Sequence, residues 1–286
     1  IDTDDAYAQN CLLANKISYY FDFRGNSEIV DAQCPGAAVA LHRAVNGLRS
    51  GEIKQAIVGA ANLLLRPNPF VLLSKSKQLS PTHSVQSFGK QAQGHLRAEG
   101  VGSVLLKPLS QAIADGDSIY ALIKNTAVNY NGQGGASIAA PNLRSHVDLI
   151  AECYQQVNVD PRHIGYIEAQ GMGNSLADLV EWQACNQALE KLAKQQGVSL
   201  SADQCLISTV KPMMGHMESS SALGALFKII RSLQTNTIHK ILNFTQANSE
   251  LEQDNTPCHL ATKTQIWQKN TGAPRLAGSV SYTHLT

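Results

Sequence analysis

The chain has 286 residues, a formal net charge of +1, 43% hydrophobic and 16% charged residues, which fits a soluble globular protein of one large or two medium domains. Near-neutral charge gives no electrostatic footing for nucleic acid or an anionic membrane; no apolar run approaches the roughly 20 residues that span a bilayer, and no signal peptide opens the chain. The six cysteines include no Cys-x-x-Cys pair, which argues for a reducing, cytoplasmic setting and against a zinc site or a disulfide framework.

In chain order, the stretch VDAQCPGAAVALHRAV (30–45) comes first. A β-branched lead-in gives way to a helical pattern over 35–49, with Ala38, Leu41, Val45 and Leu48 on one stripe. Proline suits the first helical turn, where its missing N–H has no partner anyway. Pro35 and Gly36 therefore place Cys34 at or near the N-cap. A thiolate there faces unpaired N–H groups and the positive end of the helix dipole, and both favour it. The same spacing also suits a small buried cysteine, and local sequence leaves both readings open.

Strand patterns follow at 55–65, 102–107, 120–130, 164–169, 205–210 and 275–281, several of them near-continuous apolar runs of the kind covered on both faces. Helical patterns lie at 176–195, with Leu179, Trp182 and Ala193, and at 219–233, with Leu223, Leu226, Phe227, Ile230 and Leu233. Alternating βα elements predict a layered α/β fold. The best turn between two halves is ADGDS, 114–118.

Two loops between strand and helix stand out. In YIEAQGMGNSLADLVEW (166–182) the Gly171-x-Gly173 pair lacks the full dinucleotide fingerprint, as does GQGG at 132–135; both read as backbone turns. In STVKPMMGHMESSSALGALFKII (208–230) a strand ends, a Pro and Gly turn follows, and His216 precedes a helix. A histidine so placed can polarise a carbonyl or donate to a thiolate, with Lys211 five residues earlier. A solvated lysine and a helix-capping histidine satisfy the same pattern.

Three stretches in this order resemble the β-ketoacyl synthases, specifically the ketosynthase domains of modular polyketide synthases. The family nucleophile lies in a D-T-A-C-S-S-S motif before a helix, here DAQCPGAA; its first catalytic histidine in E-A-H-G-T-G-T, here EAQGMGN; its second in K-x-x-x-G-H, here KPMMGH. ANKISYYFDFRG, VGAANLLL, EGVGSVLLKPLSQAIADGDSIYALIK and AVNYNGQGG are also similar, so the resemblance covers nearly all of 5–278. Cys34 matches the nucleophile, and His216 and Lys211 match the second histidine and its lysine. Gln170 stands where the first histidine should be, Met172 and Asn174 replace the two threonines, and Pro35, Gly36 and Ala37 replace the serines. This combination resembles the non-elongating ketosynthases of polyketide synthases whose acyltransferases act in trans.

The resemblance implies a thiolase-like fold of two βαβ-rich halves in an αβαβα arrangement, the first half incomplete: 1–115 carrying Cys34, 116–278 carrying Gln170 and His216, and a non-matching tail at 279–286 that resembles translated adapter sequence. Ile1 in place of Met makes the chain an expected piece of a longer one. The helix after Cys34 is expected to be buried, and a missing part of the first half is expected to leave apolar sheet surface exposed. The family works as a homodimer with other synthase domains in the same polypeptide. It binds no permanent cofactor, and its substrate rides on the phosphopantetheine of an acyl carrier protein.

Thioester exchange onto Cys34 needs a thiolate and oxyanion donors. Condensation also needs an enolate, formed as a malonyl group loses carbon dioxide, which the family stabilises with two imidazoles. A glutamine at 170 donates an N–H but carries neither a proton nor a charge near neutral pH. The sequence thus predicts an acyltransferase of the ketosynthase family that loads and passes on a chain without lengthening it. Two alternatives are a condensing synthase in which Gln170 substitutes, and a silent scaffold for carrier-protein docking and dimerisation. Cys153, Cys185 and Cys205 are expected to be structural.

Overall fold

A computed structural model describes residues 11–133, 140–251, 254–268 and 272–282. The helices are α1 (Cys11–Tyr20), α2 (Gly36–Ser50), α3 (Asn68–Lys75), α4 (Leu109–Ala114), α5 (Leu143–Gln155), α6 (Ser175–Gln196), α7 (Lys211–Met214) and α8 (Ser221–Thr235). The strands are β1 (Ala56–Asn62), β2 (Gly100–Leu106), β3 (Ile164–Glu168), β4 (Cys205–Ser208), β5 (Thr237–Ile238), β6 (Cys258–Leu260), β7 (Gln265–Ile266) and β8 (Leu276–Ser279). Short 3₁₀ turns lie at Pro161–His163 and Glu218–Ser220.

The centre is a four-stranded sheet in the order β6-β4-β3-β8, with every neighbouring pair parallel. Parallel strands are stable only when both faces are covered. One face packs on Val147, Ile150 and Ala151 of α5 and on Trp182, Cys185, Ala188, Leu189 and Leu192 of α6. The other receives Ile229 of α8, with Tyr166 and Trp267. A register shift between Ile164 and Tyr166 lets Ile164 and Ile167 face the α5–α6 layer while Tyr166 faces α8. Each such fully buried apolar side chain contributes ~1.5–3 kcal/mol.

The helix boundaries have local causes. Asn142 caps α5 by accepting from Ser145 N–H, and Asn174 caps α6 by accepting from Ala177 N–H. Gly197 closes α6 in the left-handed conformation, as Gly51 closes α2.

β1 and β2 form a separate antiparallel pair. Its inner face meets α8, where a side chain at Gly102 would meet the Phe227 ring at 3.0 Å. Its outer face exposes Ile57, Val101 and Leu105. The helix after Cys34 is not enclosed as expected. On α2, Gly36, Ala37, Val45 and Gly47 are buried, while Arg43, Asn46 and Arg49 are exposed, because the elements packed on it cover one side only.

The strand expected over 120–130 does not form. That segment joins no ladder among the described residues, and Tyr120, Leu122, Val128 and Tyr130 are exposed. A β-like pattern becomes a strand only when a neighbour takes its backbone groups. Here side chains tie the segment to α5 instead: Asn125 Nδ2 donates to Cys153 O at 2.8 Å and Asn129 Nδ2 to Ser145 O at 3.0 Å.

Sequence reading also passed over α1, α3 and α4, which are short, and α5, although Leu143, Val147, Ile150, Ala151 and Tyr154 recur there at helical spacing. The tail expected from 279 onward is continuous with the sheet as far as it is described. Ser279 completes β8, and Val280 N–H donates to Glu168 O at 3.0 Å; 283–286 lie outside the described residues.

Candidate active site

Strands β3 and β4 end side by side, and their loops converge at the carboxyl edge of the sheet, where open α/β sheets place ligands. The β3 loop carries Gln170, and the β4 loop carries Lys211 at the start of α7. Residues 85–98 lie across both loops. Gly94 N–H donates to Gly173 O at 2.7 Å, His216 N–H to Leu96 O at 2.7 Å, and Ala98 N–H to His216 O at 3.0 Å.

Cys34 comes from the other side. α2 begins at Gly36 with Pro35 as its N-cap, so Cys34 sits one residue before the cap. Gln33 adopts a left-handed φ of 55°, uncommon for a residue with a side chain, and turns the chain sharply just before the cysteine. Cys34 Sγ then lies 3.2 Å from His216 Nε2.

Hydrogen bonds fix the proton on His216. Its Nδ1 receives the Glu218 backbone N–H at 3.2 Å and lies 2.7 Å from Ser221 Oγ. A backbone N–H can only donate, so Nδ1 is an acceptor and a neutral ring carries its proton on Nε2, facing the sulfur. Burial pushes His216 well below the usual histidine range, helped by Lys211, by the neighbouring His95 and by Arg97. His95 packs edge-on against it with ring centroids 4.9 Å apart, and burial lowers His95 to about 4. The pair is therefore uncharged near neutral pH.

Gln170 and Lys211 meet directly, with Lys211 Nζ 3.0 Å from Gln170 Oε1. An ammonium only donates, so this contact orients the amide. Nε2 then donates to Tyr282 O at 3.1 Å and to Met172 Sδ at 3.6 Å. Lys211 is 2% exposed, and burial lowers its pKa although Glu168, Glu181, Cys34 and Asp178 pull the other way.

Two carboxyls on the first turns of α6 hold the Gln170 loop. Glu181 accepts Gln170 N–H at 2.7 Å and Gly171 N–H at 2.8 Å. Asp178 accepts Phe88 N–H at 2.7 Å and Gly173 N–H at 3.2 Å. Burial pushes Asp178 up to about 8 and Glu181 up to about 7, against the pull of those N–H groups. Sequence reading missed both, although two acids three residues apart in the first turns of a helix after a glycine loop were a usable signal. Beneath them Lys228 Nζ donates to Glu168 Oε2 and Ser208 Oγ, each at 2.8 Å, joining the ends of β3 and β4 to α8.

Gly171 and Gly173 are backbone turns, as expected. Both have positive φ, and a side chain would strike Thr209 Cγ2 at 2.7 Å and Gly94 O at 2.8 Å respectively. Gly132 is likewise left-handed, while 134–135 lie outside the described residues. Cys153 is half-buried, and Cys185, Cys205 and Cys258 are buried, all away from Cys34 in the fold. No cluster able to hold a metal ion occurs among the described residues, and no described helix is long and apolar enough to cross a membrane.

Comparison with known proteins matches this arrangement to one family. Residues 4–112 fit the "Beta-ketoacyl synthase, N-terminal domain" and residues 120–245 the "Beta-ketoacyl synthase, C-terminal domain". The chain belongs to the β-ketoacyl synthase family. Among relatives, polyketide synthase PksR of Bacillus subtilis is 37% identical over 268 residues, covering 93% of this chain and 10% of that protein. Polyketide synthase ThaG of Burkholderia thailandensis is 37% identical over 256 residues, covering 90% of this chain and 4% of that protein.

Among solved structures, the ketosynthase from module 6 of the bacillaene synthase of B. subtilis superposes with a TM-score of 0.92 at 28% identity, covering 97% of this chain and 49% of that one. The oxazolomycin ketosynthase domain OzmH KS7 of Streptomyces albus superposes at 0.89 with 34% identity, covering 96% and 47%. The fold is thus the thiolase-like fold of ketosynthases. The chain spans about half the length of these ketosynthase chains and a small part of the curated synthases.

Proposed function

We propose that this chain is the acyl-handling part of a polyketide synthase ketosynthase that moves an acyl group between acyl carrier proteins through a Cys34 thioester, without decarboxylative condensation. The Cys34 thiolate adds to the carbonyl of an acyl-phosphopantetheine thioester. The tetrahedral adduct collapses, the carbon–sulfur bond to pantetheine breaks, and the released thiolate takes a proton. A second pantetheine thiol reverses the sequence, so one thioester is exchanged for another with no net redox change. The His216 Nε2–H supports the thiolate before attack and remains beside the sulfur as charge moves to the carbonyl oxygen.

The observation that carries the non-condensing reading is the Gln170 amide. Its oxygen is taken by Lys211 and its Nε2 points toward Met172 Sδ; the further contact with Tyr282 O comes from the 279–286 segment that does not resemble the family. A neutral amide stabilises an enolate oxygen less well than an imidazole, and losing one such donor costs roughly 10²–10³ in rate. Acylation of Cys34 draws on His216 and the α2 terminus, neither of which depends on Gln170. The family setting further implies a homodimer, neighbouring synthase domains and a cytoplasmic location. Trapping an acyl adduct on Cys34 from an acyl carrier protein, with no carbon dioxide released from a malonyl carrier protein, tests both halves of the reading.

A further inference from the structure

The Glu218 N–H that fixes the His216 proton comes from a residue in an unfavourable conformation. Glu218 has a φ of 43°, a left-handed value that a residue with a side chain keeps only where its surroundings hold it there. Those surroundings are visible. Arg97 reaches across and grips the Glu218 carboxylate with two donors, Nε to Oε1 and Nη2 to Oε2, the latter at 3.0 Å. The guanidinium lies over the Phe70 ring of α3, Cζ 4.6 Å from its centroid, and the Arg97 side chain is 5% exposed. Its backbone is fixed as well, because Arg97 pairs with His216 in an isolated parallel bridge.

We infer that Glu218 and Arg97, the latter seated over Phe70, are positioning residues that hold His216 with its proton on Nε2, toward the Cys34 sulfur. Stability alone explains the pair poorly. A buried ion pair often gains little over apolar packing, and Arg97 Nη1 is buried with no partner, which adds a cost. What the fork does supply is direction, since two parallel donors lock the carboxylate, and the carboxylate locks the backbone N–H of the same residue. Without it Glu218 can relax out of the left-handed region and its N–H leaves Nδ1. Ser221 Oγ, 2.7 Å from Nδ1, can then act as acceptor. The ring proton moves to Nδ1, and Nε2 presents a lone pair to the sulfur. A hydrogen bond that supported the thiolate becomes one that supports the thiol. The groups facing His216 are otherwise unchanged: Lys211, His95 and Cys34.

The inference rests on the acyl-transfer reading for its purpose, but its test does not. The measurement is the pH dependence of Cys34 alkylation by iodoacetamide in the full-length protein, followed by mass spectrometry of the Cys34 peptide, with melting temperature recorded for each variant. Arg97→Met and Glu218→Gln should slow alkylation at pH 7 about tenfold, the scale of one hydrogen bond to a charged group, and move the profile to higher pH. Arg97→Lys, which keeps the charge and loses the fork, should fall between. If Arg97→Met does not fold, Glu218→Gln decides alone, since it preserves side-chain shape. A folded Glu218→Gln protein with an unchanged or faster profile overturns the inference. Carrier-protein acylation, measured separately on the wild type, distinguishes the two claims. Its absence alongside a shifted alkylation profile removes the acyl-transfer reading and leaves the clamp standing.

Discussion

Lys211 Nζ donates to Gln170 Oε1 at 3.0 Å across 41 residues of sequence, and both side chains are buried. The buried Lys211 ammonium, in the field of Glu168, Glu181, Cys34 and Asp178, gains a hydrogen-bond acceptor that cannot itself become charged. The contact settles which way the amide points.

Replacing Lys211 should disturb both partners. In Lys211→Met the Gln170 oxygen loses its donor, and a buried unpaired acceptor costs ~1–3 kcal/mol. The melting temperature should therefore drop, and acylation of Cys34 should slow as the nearby positive charge disappears. Thermal denaturation and single-turnover acylation read the two effects separately. A variant as stable and as fast as wild type contradicts the contact.

Removing the imidazole beside the sulfur should slow acyl transfer. His216→Ala loses the Nε2–H at 3.2 Å, and removing one such donor beside a reacting charge costs roughly 10²–10³ in rate. Rapid-quench acylation with an acyl carrier protein gives the rate. A value equal to wild type would mean that the terminus of α2 activates Cys34 unaided.

Thiol reactivity should single out Cys34. Burial raises Cys153, and raises Cys185 and Cys258 well above the usual thiol range, so each is held protonated and inert. In a limited-dose labelling experiment, Cys34 should be modified first and Cys34→Ala should lose the adduct. Preferential labelling of Cys153 would count against the site.

The acidic pair on α6 should make stability depend on pH. Asp178 and Glu181 are raised to about 8 and about 7, from an ordinary carboxylate value near about 4 in the unfolded chain. The folded state therefore binds these protons more tightly. Their contribution is complete below about pH 4 and is lost as pH rises through about 7 to 8. Asp178→Asn should lower the melting temperature, because one N–H loses its acceptor, and should flatten its decline between pH 5 and 8, a window of roughly three units set by those shifts. A slope as steep as wild type would rule out burial of Asp178 as its source.

Much of this architecture is legible in sequence, and the exceptions share a cause. Pro35 and Gly36 mark a helix start because proline and glycine act through the local backbone. The apolar runs ending near Gln170 and Lys211 mark strands because both sheet faces must be covered. What is not legible depends on which segments become neighbours. Arg97 and Glu218 lie 121 residues apart, and no local pattern says they form a pair. The segment 120–130 has the composition of a strand but no ladder partner among the described residues, a fact about the sheet and not about the segment. Gln170 is visible as a substitution; its orientation by Lys211 and Tyr282 exists only once β3, β4 and β8 lie side by side.

The most direct test loads the full-length protein with an acyl carrier protein substrate, then offers malonyl carrier protein and measures carbon dioxide and β-ketoacyl product. The expected result is a Cys34 acyl adduct that transfers on, with decarboxylation roughly 10²–10³ slower than in a ketosynthase carrying both histidines. Carbon dioxide and chain-extended product at the rate of such an enzyme would contradict it.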